Sequence, residues 1–253
     1  MDIKTPYVRY EKNITENGYK LLCIPYAGRG ASYFCGWQKA FGDEIEVLPI
    51  QLPGRENRMK DDLLRSCCGA AEQIAENLKP FVESHHFSVF GHSMGGIIAF
   101  EVAKKFEALG YEPDACFISA TSLKEDFNFI PSRELGDQDF FERVEKFGGI
   151  DESNEILNYP EFREIFLRIL RADFEIIETY KNDGTKLKCP IIAAIGDQDP
   201  MENAKRMQSW KDCTESEFIF RQYPGGHFYI ADQLPAFCND MKKDIAARSV
   251  YVK

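Results

Sequence analysis

Along this chain of 253 residues, short continuous apolar runs alternate with longer stretches in which apolar positions return every three or four residues. The runs at 19–24, 45–50, 87–90, 115–119, 191–195 and 218–223, each bounded by turn residues, predict strands. Strands that lack a polar alternate face are buried on both sides, so the sheet is parallel and covered by helices. The periodic stretches at 32–41, 68–82, 94–109, 203–211 and 235–248 predict those helices. In the third of them Met94, Ile97, Ile98, Val102, Phe106 and Leu109 fall on one helical face. Such a sheet carries its chemistry on loops beyond the C-terminal ends of its strands.

One segment breaks the alternation. From about 123 to 182 there is no strand pattern, only helical ones at 139–147, 161–170 and 172–181. The segment is rich in aromatic residues, with Phe127, Phe129, Phe140, Phe141, Phe147, Phe162, Phe166 and Phe174. The expectation is a single domain over 1–253 with a helical lid inserted between two sheet strands. Most of these rings are expected to form the insertion's own core and a minority to face a substrate channel.

Composition narrows the class. The net charge of -10 argues against nucleic acid or an anionic membrane as partner. No apolar stretch is long enough to span a bilayer, and Met1–Pro6 lacks the features of a signal peptide. A cytoplasmic protein is expected, with a monomer as the default. The eight cysteines contain no Cys-x-x-Cys pair, and several, such as Cys23, lie within apolar runs. A buried, reduced cysteine behaves there as a small hydrophobe, so neither disulfides nor metal binding is expected of the eight. No His/Cys/Asp cluster has metal-ligand spacing, so neither metal nor other cofactor is invoked.

Gly91-His92-Ser93-Met94-Gly95 lies between a predicted strand and a predicted helix. In that context Gly-x-Ser-x-Gly is a nucleophile elbow, the turn by which an α/β-hydrolase raises its serine above the sheet. A serine hydroxyl needs a base, and the chain has four histidines. His92 adjoins the serine on a tight turn, where neighbouring side chains diverge, so it is expected to pack or to make a supporting hydrogen bond. His85 and His86 end a helix and are expected at the surface. His227 follows the last strand within Pro224-Gly225-Gly226-His227-Phe228, whose glycines let the backbone bend toward Ser93.

The acid that orients this histidine is expected in Gly196-Asp197-Gln198-Asp199, after the fifth strand, which preserves the order Ser, acid, His. Asp199 is favoured because a Gly-x-x-Asp turn carries its carboxylate past the strand end. Asp197 is the competing choice. The oxyanion donors are expected to be the backbone N–H of Met94 and that of Ala27 in Pro25-Tyr26-Ala27-Gly28-Arg29-Gly30. That loop matches neither glycine-rich nucleotide-binding pattern. Arg55 has two readings, one structural and one as a contact for a substrate phosphate.

Taken together, Pro25-Tyr26-Ala27-Gly28, Leu52-Pro53-Gly54-Arg55, Phe90–Gly96, Leu170-Arg171-Ala172-Asp173, Gly196–Asp199, Trp210 and Gly225–Phe228 are similar to the type II thioesterases of nonribosomal peptide and polyketide synthases. The resemblance runs over nearly the whole chain. Arg29 departs from it, standing where the family often has a small residue. The resemblance implies an α/β-hydrolase with a mobile lid and a Ser93, Asp199 and His227 triad. It implies a stand-alone editing enzyme that hydrolyses acyl or aminoacyl thioesters on the phosphopantetheine arm of a carrier protein. The rival readings are a small-molecule carboxylesterase, a medium-chain fatty acyl thioesterase and a non-catalytic binding module of the same fold.

Overall fold

Alternation along each strand divides the core in two. In the computed structural model, which describes residues 5–9, 18–123, 130–146, 148 and 159–249, Leu22 and Ile24 of strand β1 (Tyr19–Ile24) point to one side of the sheet. Leu21 and Cys23 point to the other, as the two-residue period of a strand requires. Strands β2 (Ile45–Pro49), β3 (Phe87–His92), β4 (Ala115–Ser119), β5 (Ile191–Gly196) and β6 (Phe218–Tyr223) complete a six-stranded sheet in the order β2-β1-β3-β4-β5-β6. Every neighbouring pair is parallel. The expected α/β-hydrolase architecture, with helices on both faces, is therefore the observed one.

Helices α2 (Cys67–Val82) and α3 (Met94–Ala108) cover the face of Leu22 and Ile24. Helix α1 (Trp37–Phe41) and the C-terminal helix α7 (Ile230–Ala246) cover the opposite one. The chain after β1 thus leaves toward one face, and the chain after β3 toward the other. Their loops separate at the C-terminal edge between two adjacent strands. That is a topological switch point, where an open parallel sheet leaves a crevice for a ligand.

Several boundaries differ from the sequence expectation. The stretch 32–41 is a 3-10 turn, Ala31–Phe34, and the short α1, separated by Gly36 at φ 89°. Likewise 203–211 divides into α6 (Ala204–Met207) and a 3-10 segment, Gln208–Cys213. Helix α7 starts five residues before Pro235, because the turn at Gly226–Tyr229 runs directly into it through Tyr229 N–H to Gly226 O and Ala231 N–H to Phe228 O. Proline favours the first helical position, but here it sits inside the helix.

The described residues between β4 and β5 contain helices and no strand: a 3-10 turn Ser132–Glu134, α4 (Asp137–Lys146) and α5 (Pro160–Thr179). Where the sequence pattern breaks at Arg171, α5 continues unbroken for 20 residues. The polar residues at that break are anchors to neighbouring segments, with Arg171 bonded to Asp137 Oδ1 at 2.6 Å and Leu135 O at 3.0 Å. Phe140, Val144, Leu167, Leu170 and Phe174 form a core within the insertion. Tyr159, Phe162 and Ile165 on the first turns of α5 are exposed. Phe127, Phe129 and Phe147 lie outside the described residues. No described helix is long and apolar enough to cross a membrane.

Candidate active site

Ser93 stands between β3 and α3 with φ 54° and ψ -121°, a conformation that non-glycine residues adopt at a cost of order 1–3 kcal/mol. The surrounding glycines show what holds it there. A Cβ on Gly91 would lie 1.9 Å from Gly95 O, and one on Gly95 would lie 2.3 Å from Ile24 O. Strand, elbow, helix and the end of β1 are therefore in backbone contact, which only glycine permits. The Ser93 N–H donates to Ser119 O of β4 at 2.7 Å, fixing the elbow to the next strand.

The loops after β5 and β6 are joined in the same way. A Cβ on Gly196 would meet Gly226 O at 2.2 Å, and the Gln198 N–H donates to Gly225 O at 2.9 Å. This junction brings His227 between Asp199 and Ser93. His227 Nδ1 lies 2.8 Å from Asp199 Oδ2, and Nε2 lies 3.1 Å from Ser93 Oγ. The side chains of His227 and Asp199 are almost wholly buried. Asp199 Oδ1 is held by the N–H groups of Met201 at 2.8 Å and Glu202 at 3.1 Å, leaving Oδ2 to face the imidazole. With Nδ1–H donating to this carboxylate, Nε2 carries the lone pair toward the serine hydroxyl.

The two candidate acids separate clearly. Asp197 is exposed, and its Oδ1 accepts from the Gly225 N–H at 3.0 Å, so it braces the turn that carries His227. His92 is fully buried, with its Nδ1 2.9 Å from Ser119 Oγ, which in turn lies 2.8 Å from the Tyr229 hydroxyl. Burial, with the neighbouring His227, pushes the His92 pKa well below the ordinary imidazole value. His92 is thus a neutral group that packs beside the His227 ring, with centroids 5.3 Å apart. His86 lies at the surface beside Asp114 at 3.0 Å.

Of the two expected oxyanion donors, Met94 is the first residue of α3, so its N–H has no carbonyl within the helix to meet. Ala27 lies in a turn closed by the Arg29 N–H to Tyr26 O at 3.1 Å. Gly28 has φ 81°, the positive value that a type II turn needs at its third position. The contact of Gly95 with Ile24 O sets this loop against the first turn of α3.

Arg55 is committed to a partner within the chain. It is 3% exposed and holds Asp173 of α5 through two hydrogen bonds, Nη1 to Oδ2 at 2.6 Å and Nη2 to Oδ1 at 2.7 Å. A guanidinium so engaged has no fork left for a substrate phosphate. Asp173 was visible in the sequence only as part of a motif, without a role. The joint presence of Leu-Pro-Gly-Arg and Arg-Ala-Asp was the available signal. Arg29 donates from Nε to the Tyr26 hydroxyl at 3.2 Å, at the margin of the same loop. Trp210 is buried and donates from Nε1 to Thr121 O at 2.6 Å.

Fold and site together define an α/β-hydrolase. Residues 19–245 match the thioesterase domain family model, and the chain belongs to that family. It is accordingly a thioester hydrolase. It is 33% identical to the thioesterase PikA5 of Streptomyces venezuelae, over 88% of this chain and 79% of that one. With the gramicidin S biosynthesis protein GrsT of Aneurinibacillus migulanus it shares 36% identity over 83% and 82%. Among solved structures, the type II thioesterase BorB from the borrelidin biosynthetic cluster superposes with a TM-score of 0.83 at 26% identity, covering 96% of this chain and 97% of that one.

Proposed function

We propose that this thioesterase is a stand-alone, type II editing enzyme that releases acyl or aminoacyl groups from the phosphopantetheine arm of a carrier protein in nonribosomal peptide or polyketide synthesis. Ser93 is its nucleophile, His227 its base and Asp199 the acid that orients His227. One observation carries the chemistry: the unbroken hydrogen-bonded line from Asp199 through His227 to Ser93. The similarity to PikA5, GrsT and BorB supports the choice of substrate.

Two steps follow from this arrangement. His227 Nε2 takes the hydroxyl proton as Ser93 Oγ attacks the thioester carbonyl, and the imidazolium is stabilised by Asp199. The amides of Met94 and Ala27 receive the oxyanion as it forms. The thiol, whose pKa of about 8.5 is far below that of an alcohol, leaves with the proton held by His227. Water, deprotonated by His227, then cleaves the acyl-Ser93 ester and frees the acid. The insertion acts as a lid, a reading supported by Leu170 and Phe166 of α5, which lie beside the Gly28 turn.

Intact-protein mass spectrometry of carrier proteins loaded with acetyl, aminoacyl and longer acyl groups tests this reading. The wild-type protein should discharge them, Ser93→Ala should not, and a simple aryl ester should be a much poorer substrate. Efficient aryl ester hydrolysis with every carrier left loaded would make the protein a carboxylesterase. Discharge confined to medium-length fatty acyl chains would make it a fatty acyl thioesterase.

A further inference from the structure

The turn that carries Ala27 is gripped by residues the reaction does not itself use. The Gly28 N–H donates to Asp173 Oδ2 at 2.7 Å. That oxygen also accepts from Arg55 Nη1 at 2.6 Å, and the same Nη1 reaches Arg29 O at 3.2 Å. Arg55 Nε donates to Pro53 O at 3.3 Å, which ties the guanidinium to its own loop. Asp173 is 0% exposed, so these bonds act with little competition from water.

The turn's geometry explains why a carboxylate is needed. A type II turn differs from a type I turn by a flip of its central peptide, here the one joining Ala27 to Gly28. Asp173 accepts the N–H of that peptide and so selects one orientation. Arg55 holds the next carbonyl, that of Arg29, and fixes the returning limb of the turn. An oxyanion donor works only when it stands about 2.7–3.1 Å from the developing charge. Arg55 also neutralises Asp173, so that no unpaired negative charge lies against the Gly28 turn.

We propose that Asp173 and Arg55 are positioning residues for thioester hydrolysis, holding the Tyr26–Arg29 turn so that the Ala27 amide meets the oxyanion. This rests on the assignment of Ala27 in the proposed mechanism. Because Asp173 belongs to α5, the inserted helix is a component of the oxyanion site as well as a cover for it. A shift of α5 away from Arg55 would release the turn and lower the rate even with Ser93, His227 and Asp199 in place.

The test compares the full-length protein with Asp173→Asn and Arg55→Lys on a short acyl thioester of N-acetylcysteamine. Asparagine keeps an acceptor for Gly28 but loses the ion pair; lysine keeps the charge but loses the fork. The kcat of each should fall about thirtyfold, less than the 10²–10³ of a deleted donor, with KM within about twofold of wild type. Affinity for a trifluoromethyl ketone that adds reversibly to serine should weaken by the same factor as kcat/KM. Affinity for the carboxylic acid product should not change.

Variants that melt like the wild type and bind the ketone as tightly would make the pair a structural staple and overturn the proposal. A rise in KM at constant kcat would do the same. If Asp173→Asn fails to fold, Arg55→Lys alone carries the comparison. A wild-type protein that binds no ketone while hydrolysing the thioester would instead remove the oxyanion assignment, and this proposal with it.

Discussion

Two aspartates separated by one residue have unlike surroundings, and the difference decides what each is able to do. Asp199 is enclosed, braced on one oxygen by two amides and aimed at His227 with the other. Asp197 is exposed and occupied by the Gly225 amide. In Asp199→Asn the amide oxygen stays with the Met201 and Glu202 N–H groups and the NH2 faces His227, imposing the wrong imidazole tautomer, so kcat should fall about 10⁴-fold with the fold intact. Asp197→Asn keeps an oxygen for the Gly225 N–H and should cost about tenfold at most, as expected of a residue that only braces a turn. Steady-state kinetics of the two variants decide the matter, and a larger loss for Asp197→Asn would reverse the assignment. The order Ser, acid, His and the strand-end position made both aspartates legible as candidates. The preference for Asp199 followed from how far a turn carries a side chain past a strand.

The elements were legible where burial is uniform and less so where tertiary contacts override local signals. Strands of five or six residues buried on both faces leave a continuous apolar run, as Ile191–Gly196 does. The apolar pattern divides α5 in two at Arg171; that residue and Asp173, within the second stretch, are polar positions held by distant groups. Their partners, Asp137 and Arg55, lie 34 and 118 residues away, and no local rule encodes such a distance. Pro235 misled in the opposite sense, its preference for a helix start being outweighed by the turn at Gly226–Tyr229. Element contacts also give glycine substitutions opposite signs. Gly95→Ala would drive a Cβ to 2.3 Å from Ile24 O, where neither backbone has room to give, and should cost about 3 kcal/mol. Gly69→Ala, in the first turn of α2 with its nearest neighbour at 3.7 Å, should stabilise by about 0.5–1 kcal/mol. Thermal melting checks both, and a stable Gly95→Ala variant would mean that the elbow is looser than the contacts require.

For the molecule as a whole, strand order does what no single motif does. Because β1 and β3 are neighbours whose following helices cover opposite faces, the Tyr26–Arg29 turn and the Ser93 elbow meet at one crevice. The parallel pairing of β5 with β6 then brings the loops of Asp199 and His227 together. Sequence pattern yielded the class of sheet and the loops that matter, since Gly-x-Ser-x-Gly and Gly-Gly-His both sit at strand ends. It did not yield the Arg55–Asp173 link by which the insertion reaches the site, because buried ion pairs join residues through space. The net charge of -10 also bears on the partner at this scale. It offers no general attraction to an acidic partner, so docking of the proposed carrier protein must rest on a local basic or apolar patch.

The proposed reaction requires Ser93 to become covalently acylated by a thioester under the control of His227. Rapid quenching of the protein during turnover of an acyl thioester, followed by intact-mass measurement and peptide mapping, examines this directly. The predicted result is a transient gain of one acyl mass on the peptide that contains Ser93, absent in both Ser93→Ala and His227→Ala. Acylation of a different residue, or undiminished turnover by Ser93→Ala, would contradict it.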